Sequence, residues 1–188
     1  MKEVFIDIER CTACKSCEIA CSFQHSQSKD LFMAIFETPR PIRRLRVEKA
    51  FNFSYPVKCM HCSDAPCIAA CPVGAMYRDR ELGSVHVNKD RCMGCWMCAM
   101  VCPFGAITAD PIMKVAKKCD FCRKRVKQGI EPACVEACPT KALRFGEFEE
   151  LVRRKRVIAA KRTAQAASIT KEERKVTPLD LLRSMGGV

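Results

Sequence analysis

Four cysteines in the stretch RCMGCWMCAMVCP, at Cys92, Cys95, Cys98 and Cys102, constrain this chain more than any other feature. Their spacing, C-x2-C-x2-C-x3-C with proline next, is the thiolate run that holds [4Fe-4S] clusters. Three thiolates two residues apart wrap a tight loop around one cubane. The x3 step begins a helical turn that aims the fourth thiolate elsewhere, and in two-cluster proteins that cysteine ligates the partner cluster. The run occurs in four versions. The others are Cys11, Cys14, Cys17, Cys21; Cys59, Cys62, Cys67, Cys71; and Cys119, Cys122, Cys134, Cys138.

Each version departs in its own way. In the first, Ser22 stands where the proline is expected, and residues 22–58 form a long insert before the next run. The second has two extra residues, bringing in Ala65 and Pro66 as a stiff turn before the third ligand. The fourth carries residues 123–133 between its second and third ligands, crowded with Arg123, Lys124, Arg125 and Lys127, which either offset negative clusters or steer an acidic partner. Three runs close with the same phrase: Cys71-Pro-Val-Gly-Ala-Met, Cys102-Pro-Phe-Gly-Ala-Ile and Cys138-Pro-Thr-Lys-Ala-Leu. This repeat predicts one supersecondary unit used several times, a ligand loop that returns as a strand.

All 16 cysteines fall in these runs. A short secreted chain this rich in cysteine would be read as disulfide-bonded. The N-terminus MKEVFIDIERC offers no apolar leader, and no stretch approaches the roughly 18 apolar residues of a membrane span, so a reducing cytoplasm is expected. The formal charge is +12. A [4Fe-4S] core with four thiolates carries about −2, so four would leave about +4, a mild excess that gives no reason to invoke nucleic acid.

Between the runs, alternation at Val4, Ile6 and Ile8 predicts a strand, Asp30–Phe36 a helical turn or two, and Arg44–Glu48 an exposed edge strand. Phe51, Phe53 and Tyr55 are expected to cover the clusters, with partner docking as the other reading; Met93, Trp96, Met97 and Met100 are expected to shield their ligand loop from water. His61, between two ligands, is expected to pack beside a cluster or hydrogen-bond toward its sulfur rather than ligate. Met76–Tyr77 and Val85–Val87 about Leu82-Gly83 predict a hairpin. Beyond residue 146 the cysteines stop. Residues 147–166 predict an amphipathic helix and Thr177-Pro178 starts a shorter one, together an interaction element.

The predicted fold is therefore α+β: two ferredoxin-like dicluster units in one compact polyferredoxin of small sheets and short helices, plus a C-terminal helical extension. Residues 1–146 would form the core, with an outer unit of 1–21 and 119–146, an inner unit of 59–110, and the insert 22–58. Residues 147–188 would be the extension. So short a chain with so many loops buries little apolar surface, so the clusters must serve as its core and the apoprotein should be largely unfolded.

With these four runs, the C-x2-C-x4-C of the second and the insert of the fourth, the chain resembles the four-cluster electron-transfer subunits of molybdenum oxidoreductases and hydrogenases. Within that family CTACKSCEIAC, KDLFMAIFETPRPIRRLRVE, CMHCSDAPC and CMGCWMCAMVCPFGAI are most similar to the CooF-type proteins of anaerobic carbon monoxide dehydrogenase. The resemblance implies crossed ligation. Cluster 1 would be held by Cys11, Cys14, Cys17 and Cys138; cluster 2 by Cys59, Cys62, Cys67 and Cys102; cluster 3 by Cys92, Cys95, Cys98 and Cys71; cluster 4 by Cys119, Cys122, Cys134 and Cys21. It further implies no catalytic residue and a relay of single electrons from a carbon monoxide dehydrogenase homodimer to a hydrogenase, an NAD(P)-reducing flavoprotein or a ferredoxin. The alternative partner is a formate dehydrogenase or other molybdenum or tungsten oxidoreductase or hydrogenase. A zinc protein binding nucleic acid is the remote alternative, since closed zinc pairs give no reason for the repeated x3-C-P. A radical enzyme would need a cluster missing its fourth cysteine, and no run lacks one.

Overall fold

The computed structural model describes residues 2–166, and two compact units divide the chain, Met1–Gly146 and Glu147–Val188. The first is built of small sheets and short helices. In chain order it runs β1 (Lys2–Ile6), a 3-10 turn at Ile8–Arg10, α1 (Ser16–Gln24), α2 (Met33–Phe36), β2 (Leu45–Ala50), β3 (Phe53–Lys58), α3 (Pro66–Ala69), β4 (Met76–Arg78), β5 (Val85–Val87), α4 (Met97–Met100), β6 (Ile107–Ala109), β7 (Ala116–Lys118), α5 (Arg123–Lys127), α6 (Ala133–Glu136) and β8 (Leu143–Glu147). The second begins with α7 (Phe148–Ala166), where a helix is expected. The expected helix at Thr177-Pro178 lies outside the described residues.

Among the described residues every sheet has two strands: β1 with β8, and the antiparallel pairs β2–β3, β4–β5 and β6–β7. Such ribbons are marginal alone. Their stability must come from what lies against them, and the buried residues fall into two groups. One joins Val4, Leu45, Phe121, Val126, Val135, Ala142 and Leu143 with Cys17, Cys21, Cys134 and Cys138. The other joins Ala65, Met76, Val85, Ile107 and Ala116 with Cys67 and Cys98. Thiols from the first and fourth runs sit in one core, and those from the second and third in the other.

The C-P-x-x-A phrase has a single structural meaning. Its fourth position, Gly74, Gly105 or Lys141, takes a left-handed turn with φ of +60°, +55° and +53°. The alanine that follows, Ala75, Ala106 or Ala142, is buried, and the next residue opens β4, β6 or β8. β4–β5 and β6–β7 also share a turn. Asp79 Oδ1 accepts the N–H groups of Glu81 and Leu82, and Asp110 Oδ1 those of Ile112 and Met113. Gly83 and Lys114 close the two turns at φ +67° and +51°.

Three expectations need correction. β1 stops at Ile6, because Asp7 turns away to donate its N–H to Ala142 O (2.7 Å) and Ile8 enters the 3-10 turn. The expected exposed edge strand is found as β2, which forms a two-stranded hairpin with β3, Leu45 opposite Lys58 and Ala50 opposite Phe53. Phe51, at the tip of that hairpin, is 94% exposed and Phe53 is exposed as well, so neither covers a ligand loop. Met93, Met97 and Met100 are exposed too, Met100 to 82%; only Trp96 packs on the core.

Candidate metal centres

In all four runs the residue before the second cysteine adopts a left-handed conformation: Ala13 (φ +57°), His61 (+51°), Gly94 (+72°) and Phe121 (+60°). Lys15 and Trp96, one residue past the second cysteine of their runs, do the same and cap α1 and α4. A right-handed residue beside a left-handed one turns successive N–H groups toward one point, a concavity that suits an anion. L-residues with a Cβ rarely take this conformation. Its recurrence at one position in four runs marks it as a property of the ligand loop.

Thiols from different runs converge. One cavity is lined by Cys21, Cys119, Cys122 and Cys134, and another by Cys71, Cys92, Cys95 and Cys98. Cys17 feels the charge of Cys138 and Cys14; Cys67 feels that of Cys59 and Cys102. Burial, then the neighbouring Cys138, pushes the Cys17 thiol up to about 11; burial, then Cys119, pushes Cys21 up to about 12. Burial likewise raises Cys98 and Cys122 to about 11. Buried thiols crowded in this way do not ionise near neutrality, and a coordinating metal is what makes thiolates of them.

The donor set fits an iron–sulfur cluster on other grounds as well. The sulfurs accept hydrogen bonds from backbone N–H groups: Arg44 to Cys21 (3.3 Å), Ala75 to Cys71 (3.2 Å) and Ala116 to Cys92 (3.4 Å). Lys118 Nζ adds a charged donor to Cys59 Sγ at 3.4 Å. Such donors stabilise thiolate charge and set cluster potentials.

Around the fourth run a polar brace holds the loop. Asp120 Oδ1 accepts from His25 Nε2 (3.0 Å), its Oδ2 pairs with Arg44 (2.6 Å), and His25 Nδ1 lies 2.7 Å from Cys21 O. Burial raises the Asp120 carboxyl, but His25 and Arg44 outweigh it and hold the group well below the usual carboxylate range. His25, Asp120 and Cys122 stand close enough to share an ion, but all three belong to this brace and its ligand loop. His61 accepts the Val85 N–H at Nδ1 (3.0 Å), leaving its buried Nε2 without a partner. Burial, then Lys118 and Lys58, pushes its pKa down to about 2, so the ring is neutral.

Sequence reasoning passed over Lys58, Lys118, His25 and Asp120. Lys58 and Lys118 stand immediately before Cys59 and Cys119, and that adjacency was the available signal. Three of the four basic residues of the fourth run meet carboxylates, Arg123 with Asp79 (2.7 Å) and Lys127 with Glu81 on the β4–β5 turn, and Arg125 with Glu136 (2.5 Å). No described helix is long and apolar enough to cross a membrane.

A chain whose four cysteine loops fold in this way is a [4Fe-4S] protein, and multiple clusters are its cofactors. The chain belongs to the 4Fe-4S dicluster domain family, which matches residues 50–148. It is 38% identical over 179 residues to the probable anaerobic dimethyl sulfoxide reductase chain YnfG of Escherichia coli, covering 93% of this chain and 87% of that one. It is 40% identical over 145 residues to the thiosulfate reductase electron transfer subunit PhsB of Salmonella typhi, covering 77% and 74%. An iron-sulfur protein of Rhodospirillum rubrum is 39% identical over 183 residues, covering 91% and 92%.

Proposed function

We propose that this chain is the electron-transfer subunit of an anaerobic oxidoreductase complex, passing single electrons between a catalytic partner of the molybdenum class and a second redox protein. The observation that carries this reading is the grouping of thiols from different runs, four in each of two cavities, in a chain where no run is short of a cysteine. It supports four [4Fe-4S] clusters in two ferredoxin-like units, ligated crosswise as the resemblance implies. Bound there, the clusters supply one-electron redox chemistry. The protein's own part is to hold sixteen thiolates, donate N–H groups to sulfur and keep water off the inner ligands. A fully cysteine-ligated site offers no open coordination position for a substrate, which favours a relay over an enzyme.

The relatives with named activities belong to reductases of dimethyl sulfoxide and thiosulfate, and this favours the molybdenum-type partner over carbon monoxide dehydrogenase. A reducing compartment such as the cytoplasm suits so many thiols.

The test is anaerobic. The purified protein should contain about sixteen irons and as much sulfide per chain. Its visible absorbance should change on mixing with a molybdenum oxidoreductase and its substrate. Zinc without sulfide would end the relay reading. A response to CO with carbon monoxide dehydrogenase, and none with the molybdenum enzyme, would transfer the partnership to the former.

A further inference from the structure

Two lysines, Lys58 and Lys118, are almost completely buried, at 6% and 4% exposure. Lys118 ends β7 and Lys58 ends β3, each one residue ahead of the first cysteine of a run. The Lys118 ammonium spends its three protons on Cys59 Sγ (3.4 Å), Cys119 O (2.9 Å) and Val85 O. It thereby joins the second and fourth runs. Lys58 Nζ lies near Cys59 O (3.4 Å) and Met60 Sδ (3.9 Å) and lines the cavity that holds Cys119, Cys122 and Cys134. Each lysine thus sits next to one run in sequence and beside the other in space. Among the described residues neither forms an ion pair with a carboxylate.

A buried ammonium without a counter-charge is costly. The thiols of these two runs can supply negative charge: Cys59 Sγ is within 3.4 Å of Lys118, and Cys119, Cys122 and Cys134 line a cavity with Lys58.

We propose that Lys118 tunes the cluster held by Cys59, Cys62, Cys67 and Cys102, favouring the electron there and making the junction between the second and fourth runs a resting point of the relay. This rests on the crossed ligation proposed above. Reduction adds one electron and moves no atom, so the extra negative charge appears within reach of the Lys118 ammonium and is stabilised by it. A unit charge this near the sulfur, in a site that excludes water, is worth more than a factor of ten in the reduction equilibrium. Lys58 acts in the reciprocal sense on the cluster held by Cys119, Cys122, Cys134 and Cys21.

The test is a potentiometric titration of the intact holoprotein with dithionite, followed by electron paramagnetic resonance. The Cys102→Ser variant identifies the signal of the second-run cluster. In Lys118→Gln that signal should need a potential lower by at least about 59 mV, a tenfold change for one electron. The other signals should move less, and Lys118→Arg should restore most of the shift. Unchanged potentials in an iron-replete Lys118→Gln, or an equal shift of every cluster, would overturn the proposal. If Lys118→Gln loses iron, Lys58→Met takes its place: a lowered potential at the fourth-run cluster supports the proposal and an unmoved one overturns it. Failure of the underlying reading would show separately, as a Cys102→Ser variant that alters only the cluster of Cys92, Cys95 and Cys98.

Discussion

The carbonyl oxygen of Lys114 stands 2.3 Å from where a Cβ on Gly94 would lie. Gly94 separates Cys92 from Cys95 at φ +72°, and Lys114 closes the β6–β7 turn with its own backbone left-handed at +51°. The ligand loop of the third run is thus seated directly on the turn of the neighbouring hairpin. Neither partner yields cheaply, because the contact is with backbone. Gly94→Ala combines this clash with a left-handed penalty of about 1–2 kcal/mol. It should yield protein lacking the cluster of Cys92, Cys95 and Cys98, seen as about four irons fewer per chain. The corresponding change at Gly105, where a Cβ would meet nothing within 4 Å, should leave the iron in place.

Crossed ligation gives a second expectation. Cys102→Ser should perturb the cluster of Cys59, Cys62 and Cys67, whose nearest thiols in space include Cys102. If electron paramagnetic resonance found only the Cys92–Cys98 cluster altered, the pairing would be wrong.

Asp110 ties the β6–β7 turn with two backbone acceptances and an ion pair to Lys117 at 2.5 Å. Burial raises its carboxyl, but Lys117 and the N–H groups of Met113 and Ile112 outweigh that and hold it at about 2. A depressed folded-state pKa means stabilisation that is complete above about pH 4 and is lost only as pH falls through the folded value. Asp110→Ala should therefore cost about 1–3 kcal/mol. Heating should bleach the variant faster than wild type by the same ratio at every pH from about 6 to 8. A ratio that moved across this range would place the stabilising charge elsewhere.

All sixteen cysteines lie in the unit Met1–Gly146. A chain ending at residue 146 should retain its iron and its absorbance while binding its partner more weakly. Iron lost on truncation would make residues 147–188 part of the cluster fold.

How much of this was legible beforehand depended on whether a position served the ligand geometry or long-range packing. The runs, the C-P-x-x-A phrase and the hairpin Met76–Val87 could be read because tight loops need particular residues at particular offsets. Gly74 and Gly105 announced their turns; Lys141 and Lys114, in the same backbone state, did not, because lysine carries no such signal. The exposure of Phe51 and Met100 was misjudged for a related reason. Apolar character alone does not say whether a neighbour will cover a side chain. The burial of Lys58 and Lys118 did not follow from their adjacency to Cys59 and Cys119, because lysine is ordinarily a surface residue and the groups that receive Lys118, Cys59 Sγ and Val85 O, are distant in sequence.

The pairing of β1 with β8 has a consequence for how the chain is made. Strands β4 to β7 and the cavity of Cys71, Cys92, Cys95 and Cys98 are complete once synthesis has passed Lys118. Residues 2–6, although they leave the ribosome first, must wait for 143–147 before their strand has a neighbour. The middle of the protein can therefore close before its two ends meet. If ligation is crossed as proposed, iron delivered during translation would find the second and third runs ready, while the first run waits for the last cysteine, Cys138.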